Sequence, residues 1–252
     1  MNVRQLNSPT VSRHDGEPAV TSTRICFLGH SCLLIESSGK HILIDPFLTG
    51  NPKAAIKADA VAADLILVSH GHGDHVGDAL AIARRTGAKL VTNYEIGEWF
   101  QKQGLPAHQV FGMQHGGGKT FEGIGRVKLT LAFHGSVLPD GTYGGNPAGL
   151  LITLANGLNI YDAADTGLFG DMALIGEVGL DLALLPIGDF YTMGPDDAVR
   201  ATKLLGPKKV VPIHYNTFPP IEQDANAWAA AVRKATNAEP FVLEPGEWLN
   251  LD

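Results

Sequence analysis

Cysteine is nearly absent from this 252-residue chain: Cys26 and Cys32 are the only two. Two thiols flanking Gly29 in strand-like sequence make no recognisable zinc site. In a chain without an export signal they are expected to be reduced core thiols rather than a disulfide. Positive charge is scarce as well, with 19 Lys and Arg against 26 Asp and Glu and a formal net charge of −7. No basic run is longer than the pairs Arg84–Arg85 and Lys208–Lys209. Nothing here would track a phosphate backbone, so no nucleic-acid partner is expected. Long apolar runs are missing too. No segment approaches the roughly eighteen uninterrupted apolar residues of a membrane span, and the opening "MNVRQLNSPTVSRHDGEPAV" has no apolar stretch fit for a signal peptide. A cytoplasmic protein without a membrane partner is expected.

What the chain does have is 44% hydrophobic residues in short runs broken by 30 glycines. That is enough for one large core. Residues 1–22 lack periodicity and are expected to form a loosely ordered arm, with a single domain over 23–252. "RICFLG", "CLLIES" and "HILIDP" predict three successive strands, and "LILVS" a fourth. "DALAIARRTG" predicts a helix stopped by Gly87, followed by the strand "KLVTN" and a helix in "YEIGEWFQKQG". "RVKLTLAF" reads as a strand, and "GLLITLANGLNIYDAAD" as two strands around an Asn156-Gly157 turn. Helices near 169–177, 195–206 and 223–236 then alternate with the strands "LALLPIG", "KKVVPIHY" and "FVLEP". Meanders give way to strand–helix alternation in each half of the chain. The expected fold is therefore α/β, a four-layer αββα sandwich of two mixed sheets with helices on the outer faces.

Chemistry concentrates in "LILVSHGHGDHVGD", where His70, His72, Asp74 and His75 follow an apolar strand. Gly71 and Gly73 are expected to let the backbone turn tightly enough to aim the intervening side chains at one point. Three more metal-competent residues, His134, Asp165 and His214, also follow predicted strands. Strand ends bring side chains from distant segments to one sheet rim. Seven residues thus supply five imidazoles and two carboxylates, a set that suits two borderline divalent cations: zinc first, with manganese, nickel or iron also admitted. Two such ions about 3.5–4 Å apart lower the pKa of a bound water toward about 7 and stabilise both the attacking and the leaving oxygen. The chemistry implied is hydrolysis.

The pattern His70-Gly71-His72-Gly73-Asp74-His75, then His134, Asp165 and His214 in that order, resembles the H-x-H-x-D-H signature of the metallo-β-lactamase superfamily. The likeness runs over roughly residues 24–243. "LGHSCLLIES", "ILIDPFLTGNP", "AFHGS", "ADTGLFGDM", "LPIGDFYTMGPDDA" and "VVPIHYNTFP" look like its branch of generic metal-dependent hydrolases, akin to ascorbate-6-phosphate lactonases. The resemblance implies one metal site of His70, His72 and His134, a second of Asp74, His75 and His214, and Asp165 as the bridge. Ala164 departs from the glycine usual in that branch, so the turn before Asp165 is expected to differ slightly. Other superfamily activities fit less well. A flavodiiron-type oxidoreductase would carry glutamate at His72, and a glyoxalase-type enzyme a glycine-rich motif where "AFHGS" stands.

Around this set, Asp45 is expected to brace the histidine loop through backbone hydrogen bonds, while His30 fits equally an inner hydrogen-bonded residue and a group facing substrate. Tyr215 and Asn216 fit substrate orientation or turn packing alike. Asp189, Tyr191 and Met193 are weighed between pocket lining and a turn, and His115 as a loop residue near the pocket mouth. Asp162 competes with Asp165 for the bridging role, which the "ADTG" context gives to Asp165. His14, His41 and His108 read as ordinary surface or loop histidines. Specificity is expected from loops 50–57, 113–119, 136–147 and 189–195. The expected function is a dinuclear hydrolase whose metal-bridging hydroxide, oriented by Asp74 or Asp165, attacks an ester, lactone or phosphoester of a small molecule. A non-catalytic metal-binding or regulatory protein and a nucleic-acid phosphodiesterase are the alternatives. Assembly as a homo-oligomer is left open.

Overall fold

A computed structural model describes residues 22–251. The expected arm over 1–22 and His14 within it therefore fall, but for Ser22, outside the described residues. In chain order the elements are β1 (Arg24–Gly29), β2 (Cys32–Ser37), β3 (Lys40–Ile44), β4 (Leu65–Leu67), α1 (Gly73–Val76), α2 (Ala79–Thr86), β5 (Lys89–Asn93), α3 (Tyr94–Lys102) and β6 (Val110–Met113). They continue as β7 (Gly118–Phe121), β8 (Gly125–Leu131), β9 (Ala148–Leu154), β10 (Asn159–Asp162), α4 (Met172–Gly176), β11 (Leu182–Pro186) and α5 (Pro195–Leu205). The last are β12 (Lys209–Ile213), α6 (Ala225–Ala235), β13 (Glu239–Pro240) and β14 (Trp248–Asn250).

Two seven-stranded sheets result, in the orders β14-β1-β2-β3-β4-β5-β6 and β13-β12-β11-β10-β9-β8-β7. Each is half antiparallel meander and half parallel, with the change of direction at β3/β4 in one and β9/β10/β11 in the other. Period-two alternation explains the layering. Ile25, Phe27, Leu33, Ile35, Leu65 and Leu67 pack between the sheets against Leu150, Ile152, Leu182, Leu184, Val211 and Ile213. Their strand neighbours Cys26, Leu28, Cys32, Leu34 and Ile66 pack outward with Ile82, Ile96 and Phe100 of α2 and α3. On the far side, Ala183, Leu185 and Val210 meet Ala201, Trp228 and Val232 of α5 and α6. Strands buried on both faces need a layer on each side, and the helices supply it. Each buried Leu or Ile contributes about 1.5–3 kcal/mol. Cys26 and Cys32 are free and buried.

The expected strand "FVLEP" is not one. The chain pairs at Glu239–Pro240 with β12, then turns at Gly246, whose N–H donates to Phe27 O, and reaches β14. Pro245 and Gly246 end the run before a ladder can form. The glycine patch at 115–119 carries more order than its composition suggests, because Gly118 and Lys119 open β7.

Candidate metal centre

The rim of the two sheets is built from residues in an unusual backbone state. His30 after β1, Asp45 after β3, Ala164 after β10 and His214 after β12 have φ of 61°, 40°, 53° and 54°. This left-handed region is costly for residues with a Cβ and collects at functional sites. Ala164 pays that cost where glycine would not. Two backbone hydrogen bonds stitch the sheets at this rim: His214 N–H to His30 O at 2.8 Å, and Ala148 N–H to Ser69 O at 3.0 Å.

Asp74 and His75 stand on α1, one helical turn that begins right after His72. The expectation for the two loop glycines needs revision. Neither Gly71 nor Gly73 has a positive φ. Gly71 sits at a close approach, since a Cβ there would lie 3.2 Å from Ser136 Oγ and from Leu138 Cγ and would push them back, whereas Gly73 faces open space. The tight reversal falls instead at Gly77, with φ of 38° and room for a Cβ denied by Pro46 O at 2.4 Å.

Asp165 Oδ2 is the hub. It lies 3.0 Å from His214 Nε2, 3.3 Å from His75 Nε2, 3.4 Å from His134 Nε2 and 3.9 Å from His70 Nε2. Ring nitrogens of His70, His72 and His134 form one cluster, and His30, Asp74, His75 and His214 form another, with the ligand-capable atoms of each within 4.8 Å of one another. Within the first, His72 Nδ1 is 3.0 Å from His70 Nε2 and 3.2 Å from His134 Nε2. His75 Nε2 and Asp165 Oδ1 are buried without any hydrogen-bond partner. Buried polar atoms normally find partners. Imidazole and carboxylate atoms converging in this way, some of them orphaned, fit divalent cations.

The supports are as well defined. Asp45 is fully buried. It accepts from Ser69 N at 2.8 Å and Ser69 Oγ at 2.5 Å, and its Oδ2 is 2.7 Å from His75 Nδ1. Ser69 Oγ in turn lies 2.9 Å from His70 Nδ1. Asp45 thus braces the loop as expected and also touches His75 directly. His30 turns inward, with Nδ1 2.9 Å from Thr217 Oγ1 and Nε2 3.2 Å from Asp74 Oδ2. Burial pushes the His30 imidazole down to about 4, against the hydrogen bond to Asp74. A neutral ring can satisfy both contacts in one tautomer: Thr217 O–H donates to Nδ1, and Nε2–H donates to Asp74.

Burial also pulls His70, His72 and His134 below the usual imidazole range, in His70 with help from the charge of His75. His75 goes the other way: burial would lower it, but Asp165 and Asp45 outweigh burial and hold it well above that range. Burial would raise Asp165, yet His75 and His214 hold it well below the usual carboxylate range. Asp74 is likewise lowered, the hydrogen bond from His30 and the charge of His75 overcoming burial. For Asp162 the lowering charge of His75 is outweighed. Burial and the charge of Asp45 push it up to about 8, and its one hydrogen bond is from Ala164 N–H.

A cavity of about 320 Å³ opens onto the clusters, lined by His72, Asp74, His134, Asp165 and His214 together with Tyr191, Phe218 and Pro220. Tyr215 and Asn216 do not line it. Tyr215 packs against the outer core, and the Asn216 side chain closes a turn with Gln223. Met193 is outer core and Asp189 anchors a turn with Met193, so only Tyr191 of that trio reaches the cavity. His115 bonds to Pro147 O and lines a different cavity with Lys128 and Phe169. Of the four loops expected to set specificity, only 189–195 lines this cavity; residues 54–57 border another depression, and Ser136 instead supports Gly71 N–H at 3.1 Å. Thr217, Phe218, Pro220 and Ser69 went unremarked in the sequence. Their only signal is adjacency to His214 and His70.

Two mixed sheets flanked by helices, with histidines and aspartates gathered at the rim, define the class. Residues 24–214 match the model of the β-lactamase superfamily domain, and the chain belongs to that superfamily. Among curated proteins it is 53% identical to the UPF0173 metal-dependent hydrolase of Pelotomaculum thermopropionicum, over 90% of this chain and 100% of that protein. It is 54% identical to the corresponding Thermus thermophilus protein, over 90% of this chain and 98% of that one. Within the superfamily, then, the chain belongs to the UPF0173 metal-dependent hydrolases. Igni18, described as a novel metallo hydrolase from Ignicoccus hospitalis, superposes with a TM-score of 0.82 at 40% identity, covering 92% of this chain and 99% of that one.

Proposed function

We propose that this metal-dependent hydrolase is dinuclear and cleaves an ester, lactone or phosphoester bond of a small molecule. The observation that carries the reading is the position of Asp165 Oδ2, within 4 Å of imidazole nitrogens from both clusters. His70, His72 and His134 would hold one divalent ion and Asp74, His75 and His214 the other, with Asp165 between them. Zinc suits the imidazole-rich set best, and manganese, nickel or iron would also be accepted. Bound there, the ions would supply an ionised water at neutral pH and positive charge for a developing oxyanion.

The chain's own residues divide the remaining work. Asp165, with 3% of its side chain exposed at the floor of the cavity, serves as the shared anchor. Asp74 is 31% exposed and lines the cavity, so its carboxylate is the one placed to orient the attacking water. Thr217 and His30 fix the direction of that carboxylate. The cavity volume lies at the small-molecule end of binding sites. Two free, buried thiols support a cytoplasmic setting. Among the described residues no helix is long and apolar enough to cross a membrane.

The test is metal analysis by mass spectrometry alongside turnover on an ester, lactone and phosphoester panel, for the wild type and Asp165→Asn. Two ions per chain and chelator-sensitive turnover, both lost in the variant, are expected. A fully loaded wild type inert toward the whole panel would overturn the catalytic reading in favour of a binding protein.

A further inference from the structure

Two ions would meet the reacting group whatever its chemistry, so discrimination rests with whatever meets the rest of the substrate. Among the described residues lining the cavity there is no Lys or Arg. Lys53 faces a separate depression with Asn216, Glu222 and Asp224, and Lys128 lines the cavity of His115. Beyond the histidines and carboxylates, the lining is the Tyr191 ring, the Phe218 ring and Pro220. Tyr191 is 53% exposed and packs edge-on against Phe190, itself 73% exposed, at 4.7 Å. Phe218 is fixed from behind by Phe47 at 6.4 Å and His30 at 5.6 Å. Large aromatics left this open beside a polar floor are groups kept for contact.

Resting on the dinuclear reading above, we infer that the substrate is an uncharged carboxylic ester or lactone whose flank beside the scissile bond is aryl or alkyl. A phosphomonoester brings three terminal oxygens that share about two negative charges, and recognition of the kind Arg or Lys gives has no counterpart in this lining. An apolar flank is matched by the Tyr191 and Phe218 rings, and the ions, when bound, would supply positive charge for the developing oxyanion. The reaction balances with water alone. The acyl C–O bond breaks, a C–O bond to the water oxygen forms, and the two protons of water end on the alcohol and, as a released proton, beside the carboxylate.

The test uses p-nitrophenyl esters matched in size whose acyl chains end in methyl, carboxylate or phosphate. p-Nitrophenyl phosphate and bis(p-nitrophenyl) phosphate serve as the phosphoester probes, with each rate compared with its own uncatalysed rate. The methyl-ended ester is expected to exceed the charged ones in kcat/KM by roughly tenfold or more. Tyr191→Ala is expected to raise its KM by about that factor with kcat little changed and metal content intact, the signature of lost flank binding rather than lost chemistry. A preference for a charged acyl end, a larger acceleration on either phosphoester, or a Tyr191→Ala variant with unchanged KM would overturn this inference while metal-dependent hydrolysis stood. Turnover that is absent or indifferent to chelator would overturn the dinuclear reading and this inference with it.

Discussion

Replacing Asp45 by Asn changes one atom in a fully buried position, and the structure says what that atom does. Asp45 Oδ2 faces both His75 Nδ1, at 2.7 Å, and the Ser69 hydroxyl, at 2.5 Å, while Oδ1 takes the Ser69 N–H at 2.8 Å. If the Asn oxygen keeps the Ser69 N–H, its amide nitrogen must face His75 Nδ1. Two donors cannot face each other, so the imidazole proton moves to Nε2, the atom aimed at Asp165. The lone pair that would bind the second ion is then gone. A hydrogen bond to a charged group contributes about 1.5–3 kcal/mol, which at about 1.4 kcal/mol per decade is a loss of roughly 10–100-fold in affinity, the range found for such outer partners of metal-binding histidines. Chelator competition with stoichiometry by mass spectrometry would read it, with one ion held more weakly while the metal-free fold persists. Ser69→Ala is the control. It removes the partner of His70 Nδ1 but leaves Asp45 on His75, so it is expected to weaken the other ion. Asp45→Asn with wild-type affinity for both ions, or two variants weakening the same ion equally, would refute the reasoning.

Other expectations follow from the same geometry. His75 is held protonated in the metal-free protein by Asp165 and Asp45, so an ion must displace that proton. Affinity should rise with pH, and calorimetry in buffers of different ionisation enthalpy should register the proton released. Asp162, pushed up to about 8 in the folded state from an ordinary aspartate value of 3.8, binds its proton more tightly when folded. Its contribution to stability is therefore complete below about pH 4 and lost as pH rises through about 8, and in chelated protein Asp162→Asn should flatten the fall in Tm across that window. Ala164→Gly relieves a left-handed residue at about 1–2 kcal/mol against about 0.5–1 kcal/mol of glycine entropy. A small rise in Tm with metal content unchanged is expected.

The legible part of this protein was periodic. Runs such as "RICFLG" and "LALLPIG" alternate between two buried faces, and the alternation alone implies a layer on each side of every such strand. The seven metal-competent residues were legible for a related reason: each follows a strand or lies in the loop after one, and strands that share a sheet end at a shared rim. The Phe218 and Pro220 walls of the cavity were not legible, because they follow His214 in a stretch without strand period, which ends in a 3-10 turn over Pro219–Ile221 and is tied back by Thr217 to His30. Nor could composition separate Tyr215, half-buried against the outer core, from Tyr191, left open. Adjacent positions on a turn carry no period, and the left-handed backbone at His214 and Asn216 sends consecutive side chains to unrelated places. The same fact explains why the ligand set and the substrate differ so much in how far the sequence reveals them. The metal-competent residues follow strand ends, where register dictates direction; the aromatics open to the cavity come from the chain beyond, where single contacts such as Thr217 to His30 decide it.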